Sequence, residues 1–145
     1  MPLEIRKDVV INRPRDVVYR ALTVQWSNWW DRRYTLCPDK SVVVEKIVFE
    51  TFPGGRLAES WGGNDGALWG FVVSLRTDKW VELTGPLGLG GPPQGIVEFL
   101  LEDEGQGTKV QLTHMAGGTY PDPLVDRLKT GWDHQLQALA TFVHA

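Results

Sequence analysis

The chain has 145 residues, with 15 Lys and Arg against 18 Asp and Glu, so its formal net charge is -3. A protein that grips phosphate backbones normally carries a basic excess, so this balance argues against nucleic acid as a partner. The length predicts a single domain over residues 1–145, and the one cysteine excludes an internal disulfide. No apolar run is long enough for a membrane span or a secretory leader, which predicts a cytoplasmic protein without membrane insertion.

Tryptophan is unusually common, with 7 residues against 3 Tyr and 5 Phe. A Trp side chain is costly to bury completely, because its N–H needs a hydrogen-bond partner. So many tryptophans in a small acidic domain indicate either one large core or a wide apolar cavity.

The first quarter of the chain predicts one strand followed by two short helices. Residues 3–12 alternate loosely between apolar and polar, which predicts a strand. Pro14 suits the first position of a helix, and apolar residues then recur at helical spacing, which predicts a helix over 14–23. A second short helix is predicted over 26–33. Four residues would share one face of it: Trp26, Trp29, Trp30 and Arg33.

The rest of the chain predicts six strands and one long helix. Turns rich in Gly, Pro, Asn and Asp separate the strands. These are predicted over residues 42–51, 56–61, 67–76, 80–84, 96–102 and 108–115. The glycine- and proline-rich segment 85–95 is predicted to be a loop. Asp122 as N-cap and Pro123 as first residue then begin a helix whose apolar stripe continues to Val143.

The element order, β-α-α-β6-α, predicts an α+β fold. Short turns favour an antiparallel sheet, and the long amphipathic helix must bury its apolar stripe against that sheet. A strongly bent sheet wrapped round the helix would leave a cavity between the two. The alternative is a fatty-acid-binding or lipocalin-like barrel, but a C-terminal helix of this length argues against it.

Several motifs carry a resemblance over nearly the whole chain: Arg13 to Thr23, Trp29-Trp30, Gly54 to Leu57, Gly107 to His114 and Gly131-Trp132. In this order and spacing they resemble the START-like, helix-grip (SRPBCC) superfamily, in its Hsp90-ATPase-activator-homologue-like (AHSA1-type) branch. The resemblance implies a curved antiparallel sheet gripping the C-terminal helix, with a ligand cavity between them. It implies little about chemistry, because the superfamily includes lipid carriers, hormone-binding proteins, cyclases and co-chaperone domains. The loop at 85–95 is longer than in many members and is predicted to act as a lid.

Two polar residues are predicted to face the cavity and are the candidate catalytic residues. Glu59 is in phase with Leu57 and Trp61, and a carboxyl group in an apolar site can act as an acid or base. The alternative places Glu59 at a sheet edge, in water or paired with Arg56. His114 is predicted to bind a polar group of a ligand or to shuttle a proton. The alternative for His114 is a hydrogen-bonded histidine beneath the last helix.

The other predicted ligand-binding residues are apolar side chains assigned by strand and helix phase. They are Trp29, Trp30, Leu57, Trp61, Trp69, Phe71, Val73, Phe99, Leu112, Leu128, Trp132 and Leu136. Simple core packing is the alternative for each of the tryptophans. Trp80 is out of phase with its neighbours and is predicted to face outward.

Neither a metal site nor a cofactor is predicted. The three histidines do not cluster, Cys37 has no neighbouring base, and no phosphate-binding glycine motif occurs. The sequence therefore predicts a protein that binds a small hydrophobic or aromatic molecule, with binding favoured over catalysis. The alternatives are a cyclase, dehydratase or hydrolase that acts on a polyketide-like substrate in the same cavity, and a co-chaperone-like module that contacts an Hsp90-type chaperone. A homodimer is left open.

Overall fold

The computed structural model describes residues 2–89 and 95–145, which form a curved seven-stranded antiparallel sheet and three helices. The strands are β1 (Leu3–Ile11), β2 (Lys46–Phe49), β3 (Arg56–Gly62), β4 (Asp65–Arg76), β5 (Trp80–Gly85), β6 (Gly95–Glu104) and β7 (Gly107–Ala116). The helices are α1 (Arg15–Leu22), α2 (Trp26–Trp29) and α3 (Asp122–His144). The predicted α+β helix-grip fold and its element order are confirmed.

The sheet has the strand order β1-β7-β6-β5-β4-β3-β2, so the first and second strands of the chain form its two edges. From β2 to β7, each strand pairs with the next one along the chain, an arrangement that short connections between antiparallel strands allow. The β3–β4 turn depends on Gly62 and Gly63, whose φ angles of 111° and 57° a side chain would disfavour. Helix α3 packs mainly against β1, α1 and α2.

Two helix boundaries differ from the prediction. Helix α2 ends at Trp29, because Trp30 adopts an extended backbone with ψ of 126°. The next residue, Asp31, uses its backbone N–H and C=O to bond the Gln135 side chain, so this segment is held by α3 and does not continue as a helix. Helix α3 begins one residue earlier than predicted, since Pro121 is the N-cap and Asp122 already lies inside the helix.

The core is built around the tryptophans of the α2 segment. Trp26 is 2% exposed, and its ring centroid lies 4.8 Å from that of Trp29 and 5.1 Å from that of Trp30. Phe49 of β2 and Phe99 of β6 pack against the same ring at 5.5 and 5.8 Å. Aromatic side chains of this size bury a large apolar area each, so this cluster fills much of the space between the sheet and the helices.

Phe71 and Val73 do not face the helix, which contradicts the alternation predicted for β4. They are 42% and 46% exposed, whereas Val72 between them is 2% exposed. The pairing of β4 slips near Trp69 against β3 and at Val73 against β5. Each β-bulge adds one unpaired residue to the strand and so changes which face the following side chains occupy.

Candidate functional site

An open cleft of about 360 Å³ lies between α3, the segment after α2 and the segment after β5. Its walls are largely aromatic, with Trp30, Tyr34, Trp69 and Trp132 contributing the largest side chains. Aliphatic side chains complete the apolar lining: Leu36, Leu87, Leu124 and Leu128. The cleft is therefore an apolar concavity formed by three segments that are far apart in sequence.

The space between the sheet and α3 behind this cleft is nearly full. A void of only about 10 Å³ remains there, surrounded by Trp26, Leu57, Leu83 and Val97 together with residues that also line the cleft wall. A space of this size holds about one water molecule at most. The cavity predicted between the sheet and the last helix is thus almost filled by side chains, and the open cleft is a separate, larger concavity beside it.

Glu59 is buried, with 3% of its surface exposed, and no basic side chain contacts it in the described residues. One carboxylate oxygen accepts hydrogen bonds from the backbone N–H of Leu36 at 3.1 Å and from Trp69 Nε1 at 2.9 Å. The other accepts from Trp61 Nε1 at 2.6 Å and from the Thr35 hydroxyl. Burying a carboxylate without hydrogen bonds costs on the order of several kcal/mol. The four donors offset this cost.

This arrangement makes Glu59 a link between the sheet and the cleft wall. Three of its four donors, Thr35, Leu36 and Trp69, themselves line the cleft. Glu59 does not line the cleft, and its two oxygens have no coordination left for a substrate. The geometry favours a positioning role for Glu59 over the acid–base role predicted from the strand pattern.

His114 is fully buried and hydrogen-bonded to the last helix. Its Nδ1 accepts a hydrogen bond of 3.0 Å from Trp132 Nε1, and because an indole N–H only donates, the imidazole proton lies on Nε2. Burial lowers the pKa of His114 from 6.5 to about 4, so the ring is neutral at pH 7. Nε2 has no hydrogen-bond partner among the described residues. His114 and Glu59 share no hydrogen bond, and neither of them lines the cleft.

Two uncharged polar side chains of the cleft, Tyr34 and Gln135, are also hydrogen-bonded to the protein. The Tyr34 hydroxyl lies 2.5 Å from His134 Nδ1, and Gln135 uses both ends of its amide on Asp31. Gln135 is 2% exposed although it is polar. Its position three residues after Trp132, on the apolar side of α3, is the signal in the sequence that could have identified it.

Two arginines line the cleft and are its charged residues in the described chain, Arg33 and Arg127. Arg33 donates through Nε and Nη2 to the Asp31 carboxylate, at 2.9 and 2.6 Å to Oδ2. These hydrogen bonds hold the pKa of Asp31 below its ordinary value. Arg127 forms no ion pair or hydrogen bond with the residues that the structure describes. Helical spacing over 26–33 placed Arg33 on the same face as the tryptophans, whereas Arg127 was predicted to lie off the apolar stripe of the last helix.

The predicted ligand-binding residues fall into three groups. Trp30, Trp69, Leu128 and Trp132 line the cleft. Most others are buried in the core away from it: Trp29, Leu57, Phe99, Leu112 and Leu136. Trp61 is half-buried beside Glu59, and Phe71 and Val73 lie on the exposed face of the sheet, so their predicted place in the wall is wrong.

The structure describes Trp80, which was predicted to face outward, and part of the 85–95 loop, which was predicted to act as a lid. Trp80 is half-buried and donates to the Ser74 hydroxyl at 3.1 Å. Residues 90–94 of the 85–95 loop lie outside the described residues. In the part that is described, Leu87 and Leu89 are 5% and 3% exposed, and Gly88 packs against the Trp69 ring. Leu87 and Gly88 thus form part of the cleft wall, whereas Leu89 packs with Leu3 and Ile5 of β1.

Over residues 2–89 and 95–145, His, Cys, Asp and Glu side chains form no group of three that would hold a metal ion. No helix within those two ranges has the length and apolar character needed to cross a membrane.

The family of the chain follows from its sequence. Residues 12–144 match the family described as Activator of Hsp90 ATPase homolog 1-like protein, and the chain belongs to this family. It is accordingly a member of the START-like, SRPBCC superfamily. No curated protein matches it significantly.

Solved structures share the fold at low sequence identity. DynU16, a protein in the dynemicin biosynthetic locus, has 17% identity and a TM-score of 0.65 over 98% of this chain. The chain spans 47% of the length of DynU16. CalU16 from Micromonospora echinospora has 22% identity and a TM-score of 0.61, over 97% of this chain and 74% of its own. Protein NE0264 from Nitrosomonas europaea has 15% identity and a TM-score of 0.70, over 98% and 94%.

Proposed function

We propose that the protein binds a small aromatic molecule in the cleft between α3, the segment after α2 and the segment after β5. The observation that carries this proposal is the aromatic wall, in which Trp30, Tyr34, Trp69 and Trp132 surround an open volume of about 360 Å³. Pockets for small molecules commonly measure roughly 300–1,000 Å³, with mostly apolar walls and few polar groups. The cleft falls at the lower end of this range, which favours a ligand of one to three fused rings.

The wall is held in place before any ligand arrives. The Trp69 indole is fixed by Glu59 at 2.9 Å, and the Trp132 indole is fixed by His114 at 3.0 Å. Trp30 packs edge-on against both rings, with centroid distances of 5.5 and 6.0 Å. Binding to a preorganised wall loses little side-chain entropy, which supports affinity for a small ligand.

Binding is favoured over catalysis on this site. An enzyme would need an acid or base facing the cleft, but Glu59 and His114 are buried behind its wall and bonded to it. A protein that carries or senses an aromatic molecule needs only the wall. Family membership and similar structures are compatible with this function, since one fold can host many different functions.

The proposal is tested by calorimetric titration with 2-naphthol, a neutral two-ring probe. We expect Leu128→Trp to lower the affinity about tenfold or more, because the larger side chain fills the cleft that Leu128 lines. Val73→Trp, which places the same bulky side chain at an exposed position of β4, should leave the affinity unchanged. Absence of 2-naphthol binding, or equal effects of the two variants, would contradict the proposal.

A further inference from the structure

We infer that the ligand of this cleft is an aromatic acid, whose ring packs on the tryptophan wall while its anionic group binds Arg127 and Arg33. This inference rests on the proposed function and adds the chemical class of the ligand. It specifies the polar group of the ligand, which the aromatic wall alone does not define.

The charge of the cleft is opposite to that of the chain. The full sequence carries a net charge of -3, yet the charged side chains that line the cleft in the described chain are both arginines. Acidic residues do not line it within the same range. Both arginines are exposed, so they offer an anion a modest attraction that salt weakens, and this favours an anion over a neutral ligand.

Most other hydrogen-bond donors of the cleft are already used. The indole N–H groups of the three wall tryptophans donate to the backbone carbonyl of Tyr34, to Glu59 and to His114. The Thr35 hydroxyl donates to Glu59, and the Gln135 amide donates to the Asp31 carbonyl. A polar group on a ligand therefore finds its available side-chain donors at the two arginines.

Arg127 is the better placed of the two. It follows Leu124 by three residues and precedes Gly131 by four, so it shares the helix face that lines the cleft. On a helix, Arg127 could pair with a carboxylate three or four residues away. Those positions hold Pro123, Leu124, Thr130 and Gly131, and none of these has a carboxylate. Its guanidinium has no partner among the described residues, so a ligand anion would not compete with an existing ion pair.

Arg33 is partly committed, but it keeps a free donor. Nε and Nη2 bind the Asp31 carboxylate, which leaves Nη1 without a partner among the described residues. A guanidinium matches the geometry of a carboxylate with two parallel hydrogen bonds, and this match fixes orientation as well as adding affinity. The expected pose has the rings inside the cleft and the acid group at its mouth.

The test compares two probes with the same two-ring body, 2-naphthoate, which is anionic at pH 7, and the neutral 2-naphthamide. At low ionic strength we expect the wild-type protein to bind 2-naphthoate about fivefold more tightly, a preference typical of a partly exposed charge-assisted contact. The preference should fall as salt is added. Arg127→Gln should remove most of it, by lowering the affinity for 2-naphthoate more than the affinity for 2-naphthamide. Arg127 is exposed, so this variant should fold normally.

Lys129→Gln is the matched control, because it removes the same charge from α3 at an exposed residue that does not line the cleft. It should keep the preference for 2-naphthoate. Equal affinity of the wild-type protein for both probes would overturn the inference while leaving the proposed function intact. An equal loss of preference in both variants would also overturn it, since the effect would then come from net charge alone. Failure of both probes to bind would contradict the proposed function as well.

Discussion

At the scale of single residues, the cleft depends on one buried carboxylate. Glu59 receives hydrogen bonds from the segment after α2, from its own strand β3 and from Trp69 in β4. Alternation along β3 correctly placed this side chain on the inner face. Three of its four donors were not predictable, because two come from an irregular segment and one from a bulged strand. The fourth, Trp61, was predicted in phase with Glu59 on β3.

Glu59→Gln should therefore destabilise the protein by about 2–3 kcal/mol, because the new amide nitrogen would face a donor and leave a buried polar group unsatisfied. Urea denaturation followed by far-UV circular dichroism measures the change. The control is Glu102→Gln, a glutamate on an exposed position of β6, which should change stability by about 0.5 kcal/mol or less. Equal stability of the two variants would show that the four hydrogen bonds contribute no net stabilisation.

His114 gives the protein a specific dependence on pH. Its pKa is about 4 in the folded protein, against 6.5 for an unperturbed histidine such as one in the unfolded chain. The unfolded chain therefore takes up a proton first as the pH falls, and stability is lost between about pH 6.5 and pH 4. The full contribution is about 3–4 kcal/mol at neutral pH, from roughly 1.4 kcal/mol per pKa unit.

The measurement is the free energy of unfolding of the wild-type protein and of His114→Leu at pH 7, 5.5 and 4.5. The wild-type protein should lose more stability than the variant across this range, since the variant has no imidazole to protonate. If the free energy of unfolding fell equally with pH in both proteins, the lowered pKa of His114 would be contradicted. Strand phase predicted that His114 points inward, but its partner Trp132 lies 18 residues away in a different element.

At the scale of elements, the bulges of β4 explain where prediction from periodicity failed. Continuous alternation would place Trp69, Phe71 and Val73 on one face, but the register slips near Trp69 and again at Val73. Bulges depend on the pairing of neighbouring strands and have no signature in the strand's own alternation here. The same slips place Trp69 at the cleft and turn Phe71 and Val73 toward solvent.

Two substitutions in β4 test whether Val72 or Val73 faces the core. Val72→Ala should cost about 2 kcal/mol of stability, because a buried side chain is lost from the core. Val73→Ala should cost about 0.5 kcal/mol or less, because the side chain is nearly half-exposed. Thermal or urea unfolding of the two variants measures both values. A larger loss of stability in Val73→Ala than in Val72→Ala would instead support uninterrupted alternation along β4.

At the scale of the whole molecule, the order of elements was predictable and the shape of the site was not. Turn residues separate the strands clearly, and the apolar stripe of α3 specifies what the sheet must cover, so the helix-grip fold follows from local patterns. The cleft is formed where α3 meets two segments without regular structure. Its boundaries depend on long-range contacts, such as the Gln135 amide on Asp31, which no local pattern specifies.

Composition alone did not decide whether the 7 tryptophans form a core or line a cavity, and both roles occur among them. Trp26 and Trp29 are core residues, and they occupy space that an enclosed cavity would need. Trp30, Trp69 and Trp132 present part of their surface to the open cleft. The proposed function depends on whether an aromatic ligand binds to these three rings.

The indole N–H signals in a two-dimensional ¹H–¹⁵N spectrum, recorded during titration with 2-naphthol, report on these rings one by one. If the ligand binds in the cleft, the signals of Trp30, Trp69 and Trp132 shift together and saturate, while that of Trp80, which does not line the cleft, stays in place. Movement of the Trp80 signal alone, or no movement of the three cleft signals at saturating 2-naphthol, would contradict binding at this site.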